Sequence, residues 1–275
     1  MTVELTSLDK VLWPASGFTK RQLIDYYVAV ADVLIPHIAG RPMTLGRWPA
    51  GIDGRGFAQT ECRGAPEWVA TRPLRLRSGG VRNFCVLNDK RSLVWAANLG
   101  TIELHPYLGG GPDGEDAVLV IFDLDPRPEA SLLDAAEAAL ALRQLLTARR
   151  LEAFAKTSGG HGIHVFVPLN VPHSFDQTRA FCKEVAGELR TGPVNVDCAQ
   201  NHPRRSLAAP YSLRATTLLP AVSTPLTWDE LERAVSTRQP ELMTFTALDV
   251  PARIERVGDL FRPVLDFRQR LRDSG

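Results

Sequence analysis

Two aspartates, Asp123 and Asp125, stand at i and i+2 at the end of the apolar run Ala117-Val118-Leu119-Val120-Ile121-Phe122, and Pro126 closes the stretch. A run so rich in β-branched residues predicts a buried strand. Side chains alternate along a strand, so the two carboxylates share a face, roughly 6–7 Å apart. Two carboxylates on one face repel each other, and a divalent cation between them removes the repulsion. Hard oxygen ligands suit Mg²⁺ or Mn²⁺, and such ions in pairs about 3.5–4 Å apart drive in-line phosphoryl transfer. The same D-x-D pattern also serves as a plain loop entry. A metal reading therefore needs a third carboxylate and something to hold phosphate.

The chain offers candidates for both. Val194-Asn195-Val196-Asp197 is a short β-prone segment ending in the third carboxylate, Asp197, although many strand-end aspartates merely start a turn. Between two strand-like stretches lies Lys156-Thr157-Ser158-Gly159-Gly160-His161-Gly162-Ile163-His164. Its glycines let successive amides converge into an anion nest, with Ser158, Gly159 and His164 facing the phosphate. A plain hairpin turn with a core histidine is the alternative, and the Walker A spacing is absent. Arg214, in Pro210-Tyr211-Ser212-Leu213-Arg214, is placed to hold a phosphate bidentately, whereas Arg204 and Arg205 read as solvated surface. His105, in Glu103-Leu104-His105-Pro106-Tyr107, either contacts a nucleotide or hydrogen-bonds a neighbouring loop.

The elements that must position these residues alternate between helix and strand. Residues 1–18 read as loop. Thr19 with Gln22 is a capping box opening a helix that runs to Gly40, and 41–48 is a strand. An irregular region over 56–80 precedes a strand at 84–87, a helix at 92–98 and a strand at 101–107. Gly109 to Gly114 is a turn before the central strand. Ser131 with Asp134, Ser174 with Gln177, and Thr227 with Glu230 cap three further helices. Strands are expected at 153–156, 163–168, 194–197 and 206–209, and an amphipathic helix over 258–272. There is no repeat or linker. The pattern predicts one mixed α/β domain over 1–275, with two fused lobes as a variant.

Composition narrows the classes. The 275 residues are 44% hydrophobic and 23% charged with a net charge of +1, so bulk charge does not announce a nucleic-acid binder. Five lysines stand against 27 arginines, a bias that a GC-rich genome explains as readily as phosphate binding. The four cysteines show no C-x-x-C and no close pairing, so neither a zinc site nor a disulfide framework is expected, and a reducing cytoplasm is the default. No signal peptide or membrane span is visible.

Taken together these residues resemble the polymerase domain of bacterial ligase D, the end-joining DNA ligase, and its stand-alone relatives in the archaeo-eukaryotic primase superfamily. The likeness runs through Asp9-Lys10-Val11-Leu12-Trp13-Pro14, Gly17-Phe18-Thr19-Lys20 and Asn98-Leu99-Gly100-Thr101-Ile102-Glu103-Leu104-His105-Pro106. It continues in Phe122-Asp123-Leu124-Asp125-Pro126, Lys156-Thr157-Ser158-Gly159-Gly160 and Ala209-Pro210-Tyr211-Ser212-Leu213-Arg214. The resemblance implies a primase catalytic core with an RRM-like sheet carrying Asp123, Asp125 and Asp197 as catalytic metal ligands for two Mn²⁺ or Mg²⁺ ions. Arg47, His105, Ser158, Gly159, Gly160, His161, His164 and Arg214 match positions lining the nucleotide and metal sites, and Lys10 and Lys20 match a DNA 5′-phosphate pocket.

The implied activity is template-directed addition of NTPs or dNTPs to a primer 3′-OH at DNA gaps or breaks. Implied partners are gapped or broken DNA, a separate ATP-dependent ligase and Ku, with a cytoplasmic, nucleoid-associated setting and no ligase or nuclease region in this chain. Three departures stand out: His161 and Thr60 replace the family's usual lysines, and the segment from Leu189 to Asp197 is short. Two other readings use the same residues: a de novo primase, and a non-catalytic DNA-end binding module that recruits a ligase. A metal-dependent nuclease is disfavoured by the phosphate nest and Arg214.

Overall fold

Three separated stretches, Met1–Tyr107, Ser206–Ser223 and Phe245–Gly258, make one unit of the molecule, and Leu108–Arg205, Thr224–Thr244 and Asp259–Gly275 make the other. The structure is a computed structural model and describes residues 3–75, 79–110, 114–189, 192–216 and 218–271.

The first unit opens with β1 (Val11–Trp13) and β2 (Phe18–Thr19), which pair antiparallel where the sequence predicts loop. Thr19 and Gln22 form the expected capping box of α1 (Lys20–Ala29). The apolar repeat predicts one helix to Gly40, but the chain breaks at Val30 and resumes as α2 (Ala31–Ile38). The apolar stripe continues across the joint, so periodicity alone does not reveal it. Next come β3 (Met43–Arg47), β4 (Phe57–Gln59), β5 (Ala70–Arg75), β6 (Val81–Val86), α3 (Lys90–Asn98) and β7 (Thr101–Pro106). β3 pairs with β4, β6 and β7, and β5 lies on the far side of β6. The region 56–80, expected to be irregular, instead holds β4 and β5 before β6 begins. The structure keeps Pro73 by placing β5 at the sheet edge, opposite Asn83.

The second unit begins with β8 (Gly109–Gly110), part of the expected turn; residues 111–113 lie outside the described ones. β9 (Asp116–Pro126), α4 (Leu132–Ala148), β10 (Phe154–Thr157), β11 (Ile163–His173), α5 (Phe175–Glu188) and β12 (Val194–Asp197) follow. The chain then returns to the first unit for β13 (Leu213–Arg214) and β14 (Ala221–Val222). β15 (Pro225–Leu226) and α6 (Trp228–Thr237) belong to the second unit, α7 (Val250–Val257) to the first, and the single turn α8 (Pro263–Asp266) to the second. The order β12-β9-β11-β10-β15 makes an antiparallel sheet, with β8 also on β9. The fold is the mixed α/β class expected, and the capping boxes at Ser131, Ser174 and Thr227 are all formed. Phe122, Leu124, Ile163 and Val165 are fully buried on the side of the sheet opposite Asp123.

Three expectations need correction. Residues 206–209 make only a single bridge, Tyr107 to Ser206, in a segment that Pro210 closes. The tail is not one helix: beyond α8 it runs extended. Gln269 there bonds the main chain of Glu152, Pro168 and Leu169, and these bonds replace helical ones; Arg272 lies outside the described residues.

The cysteines also pair, Cys62 with Cys85 and Cys182 with Cys198, at Cα separations of 4.8 and 5.8 Å. Partners 23 and 16 residues apart carry no spacing signal; tertiary structure alone brings them within bridging range. Among the described residues no helix is long and apolar enough to cross a membrane.

Candidate functional site

One row of side chains crosses four strands of the second unit's sheet. Lys156 on β10 pairs with His164 on β11, His164 pairs with Asp123 on β9, and Asp123 pairs with Asp197 on β12. Directly opposed residues in antiparallel strands project to one face, so the four line up in the order Lys, His, Asp, Asp. Asp125 stands two residues along β9 on the same face, opposite Asn195. The register therefore brings together the three aspartates from distant parts of the sequence. Asp123 is 6% exposed, Asp197 is half-buried and Asp125 is exposed.

The contacts in the row are short. Lys156, with no exposed surface, places Nζ 2.8 Å from His164 Nδ1. His164 Nε2 lies 3.1 Å from Asp123 Oδ1, and Gln200 Nε2 donates to Asp123 Oδ2 at 3.2 Å. Burial pushes the Asp123 carboxyl up, but His164, Gln200 and Lys156 outweigh it and hold the group below its ordinary range. His164 Nε2 is the ion-pair partner of Asp123 Oδ1, and that oxygen, like Gln200 Oε1, is buried with no hydrogen bond of good geometry. Orphaned buried oxygens of this kind fit a cation ligand, and oxygen donors of this hardness match Mg²⁺ or Mn²⁺. Among the described residues no three His, Cys, Asp or Glu side chains already surround one point. The fit rests on strand register and on the orphaned oxygens.

The glycine turn joins β10 to β11. Ser158 donates its amide to the Gly162 carbonyl at 2.9 Å, and Ser158 Oγ accepts from the amides of Gly160 and Gly162 at 3.2 and 3.1 Å. The nest expected from the sequence thus closes around a hydroxyl oxygen. Gly162 has no room for a side chain: a Cβ there would lie 2.8 Å from the Leu124 carbonyl oxygen and 2.9 Å from Asp125 Oδ1. Gly159 has φ +77°, and His161 is exposed at the tip.

The remaining expected residues belong to the first unit. Glu103 Oε2 meets His105 Nε2 at 2.7 Å, while Glu103 Oε1 accepts the Ala215 amide at 2.9 Å and forms an ion pair with Arg214, whose Nε stands 3.2 Å away. Burial raises the Glu103 carboxyl, yet His105, Arg214 and the Ala215 amide bring it down to about 2. Lys10 Nζ donates to the Pro49 carbonyl at 3.0 Å and the buried Lys20 Nζ to Thr6 at 2.5 Å. Burial first, then the neighbouring Lys10, lowers the Lys20 ammonium. Arg47 is spent on the Leu99 carbonyl and Gln59 and lies over the Phe57 ring. Lys156 and Glu103 stand in the sequence motifs without roles of their own, and Gln200 stands in none of them. Only strand pairing could have revealed the first two, and Gln200 carried no spacing signal.

A family model described as the LigD primase-polymerase domain matches residues 19–192 and 187–261. The multifunctional non-homologous end joining protein LigD of Mycolicibacterium smegmatis is 34% identical over 281 residues, 95% of this chain and 36% of that protein. Its Mycobacterium bovis counterpart is 36% identical over 301 residues, 98% of this chain and 39% of that protein. The chain thus spans well under half the length of these curated relatives. Among solved structures, the polymerase domain of Mycobacterium tuberculosis ligase D in complex with DNA matches with a TM-score of 0.85 and 34% identity, over 97% of this chain and 99% of that one. These likenesses define the class as a nucleotidyltransferase of the primase-polymerase type. The chain belongs to the LigD primase-polymerase domain family.

Proposed function

We propose that the chain adds NTPs or dNTPs to a primer 3′-OH at DNA gaps or breaks during end joining, under template direction. The observation that carries this is the register that sets Asp197 opposite Asp123, with Asp125 on the same face. Asp123, Asp125 and Asp197 would hold two divalent ions, Mn²⁺ or Mg²⁺. Such ions, when bound, acidify the 3′-hydroxyl and neutralise charge on the leaving pyrophosphate.

The protein's own part is to bind and orient. Amides of the Ser158–Gly162 turn pass from Ser158 Oγ to a triphosphate oxygen, which as an anion is the better acceptor. His161 adds a donor beside that turn, while His164, whose two ring nitrogens face Lys156 and Asp123, orients the metal-binding carboxylate instead; in the first unit, His105 and Arg214 are the phosphate-binding residues. Lys10 and Lys20 take a DNA 5′-phosphate. The M. tuberculosis domain is described in complex with DNA, which supports DNA as a partner here; a separate ligase and Ku would complete the repair.

The test is extension of a gapped duplex with NTPs or dNTPs, in Mn²⁺ and in Mg²⁺, on 5′-phosphorylated and unphosphorylated gaps. Template-directed extension that favours the phosphorylated gap is expected. No extension under any of these conditions would end the proposal, and equal use of both gaps would remove the role given to Lys10 and Lys20.

A further inference from the structure

The reading above places His105 and Arg214 on the nucleotide, and the structure carries that assignment one residue deeper. Glu103 is 7% exposed, yet its carboxylate has a partner on each oxygen: His105 on one side, Arg214 and the Ala215 amide on the other. Its place is built. Glu103 and His105 stand at i and i+2 on β7, and the residue opposite Glu103 on β3 is Gly46. A Cβ on Gly46 would lie 2.9 Å from Glu103 Cβ and 3.0 Å from the Trp48 ring, so a glycine there is what leaves the carboxylate its space.

The backbone carrying Arg214 is held on the same strand. Ser212 Oγ accepts the Leu104 amide at 2.9 Å, the Ala209 amide reaches the Leu104 carbonyl at 2.9 Å, and Tyr27 Oη takes the Leu213 amide at 3.2 Å. A long arginine loses rotamer freedom when fixed, and a buried carboxylate pays that cost before a ligand arrives. The ion pair, with Nε 3.2 Å from Glu103 Oε1, also restricts where the rigid guanidinium plane can stand.

We infer that Glu103 is a positioning residue for nucleotide binding: it fixes Arg214 and His105 in the orientation in which they meet the phosphates, without touching the nucleotide itself. This rests on the nucleotide role given to those two residues, so both levels are tested together. Steady-state extension and equilibrium binding of a fluorescent ATP analogue are measured for the unaltered protein and for Arg214→Ala, His105→Ala, Glu103→Gln, Glu103→Asp and the double variant Glu103→Gln/Arg214→Ala, with thermal melting alongside.

Glu103→Gln is expected to raise KM for the triphosphate about tenfold with kcat within about twofold, and to weaken analogue binding in parallel. The double variant should lose less affinity than the two single variants summed, since part of the effect of Glu103 runs through Arg214 and the rest through His105; a purely structural carboxylate would give additive losses. Glu103→Asp should recover part of the affinity, and it decides the question if Glu103→Gln fails to fold. An unchanged KM in Glu103→Gln, or in Glu103→Asp if that is the folded variant, together with a raised KM in Arg214→Ala, overturns the inference and leaves the nucleotide reading standing. Unchanged KM in both Arg214→Ala and His105→Ala removes the nucleotide reading and the inference with it.

Discussion

Lys156 Nζ stands 2.8 Å from His164 Nδ1, and neither side chain is more than 3% exposed. An ammonium can only donate, so Nδ1 accepts and the ring's other nitrogen carries its proton toward Asp123. Lys156→Met keeps the length and removes the donor. Extension should fall at least tenfold. Melting should move far less, because a buried charge is lost along with its bond. Activity within twofold of the unaltered protein would show that the lysine does not orient the histidine.

The aspartates make a prediction that does not depend on turnover. A ligand bound only by the folded state raises the melting temperature, and does so with the logarithm of its concentration once that exceeds Kd. Mn²⁺ should stabilise the unaltered protein and have little effect on Asp125→Ala or Asp197→Ala, which should also lose at least about a thousandfold in extension while retaining DNA binding. Equal Mn²⁺ shifts in all three proteins would place the ions elsewhere.

Acid should act through Glu103, whose carboxyl is held at about 2 in the folded chain by its partners. A depressed folded value means the contribution is present above the unfolded value, about 4.3, and is lost as pH falls toward 2. It amounts to roughly 2–3 kcal/mol at neutral pH. Urea unfolding of Glu103→Gln should show a deficit at pH 6 that narrows by pH 3. A gap that stays constant with pH would mean the carboxylate is not ionised below its ordinary range.

Two glycines, one in the turn between β10 and β11 and one within α5, should respond oppositely to alanine. Gly162→Ala puts a methyl against the Leu124 carbonyl and Asp125, at a cost of about 1–3 kcal/mol and a loss of extension. Gly187, within α5, has open space at its Cβ position, so Gly187→Ala should stabilise by roughly 0.5–1 kcal/mol. Denaturant midpoints for the pair decide the matter.

The cysteine pairs bear on β12. Cys198 follows Asp197 directly and is tied to Cys182 on α5. Closing a 16-residue interval is worth about 3 kcal/mol. Thiol titration of unfolded, unreduced protein should find no free thiol, and Cys182→Ser should lower stability by about that amount. Four reactive thiols without reductant would contradict the pairing.

How much of this was legible in the sequence follows from the range of each interaction. Thr19 with Gln22 and Ser131 with Asp134 are local, so their caps could be read directly. The helix break at Val30 was missed because the apolar stripe continues across it. The D-x-D strand was plain because its signal is an unbroken apolar run. The row from Lys156 to Asp197 was not, because it depends on which residue of one strand faces which of the next, and a shift of one would turn every side chain to the other face. Glu103 stayed hidden for the same reason: its partner Arg214 lies 111 positions further on.

The division into units has a practical consequence. The backbone passes from one to the other after Tyr107, Arg205, Ser223, Thr244 and Gly258, so neither unit is a continuous stretch that could be expressed by itself. The first unit's core draws on Ala247 and Val250, so a nascent chain cannot finish that core until it has also made most of the second. Truncation mapping would therefore report lost folding rather than lost chemistry, and point substitutions are the sound way to dissect the molecule.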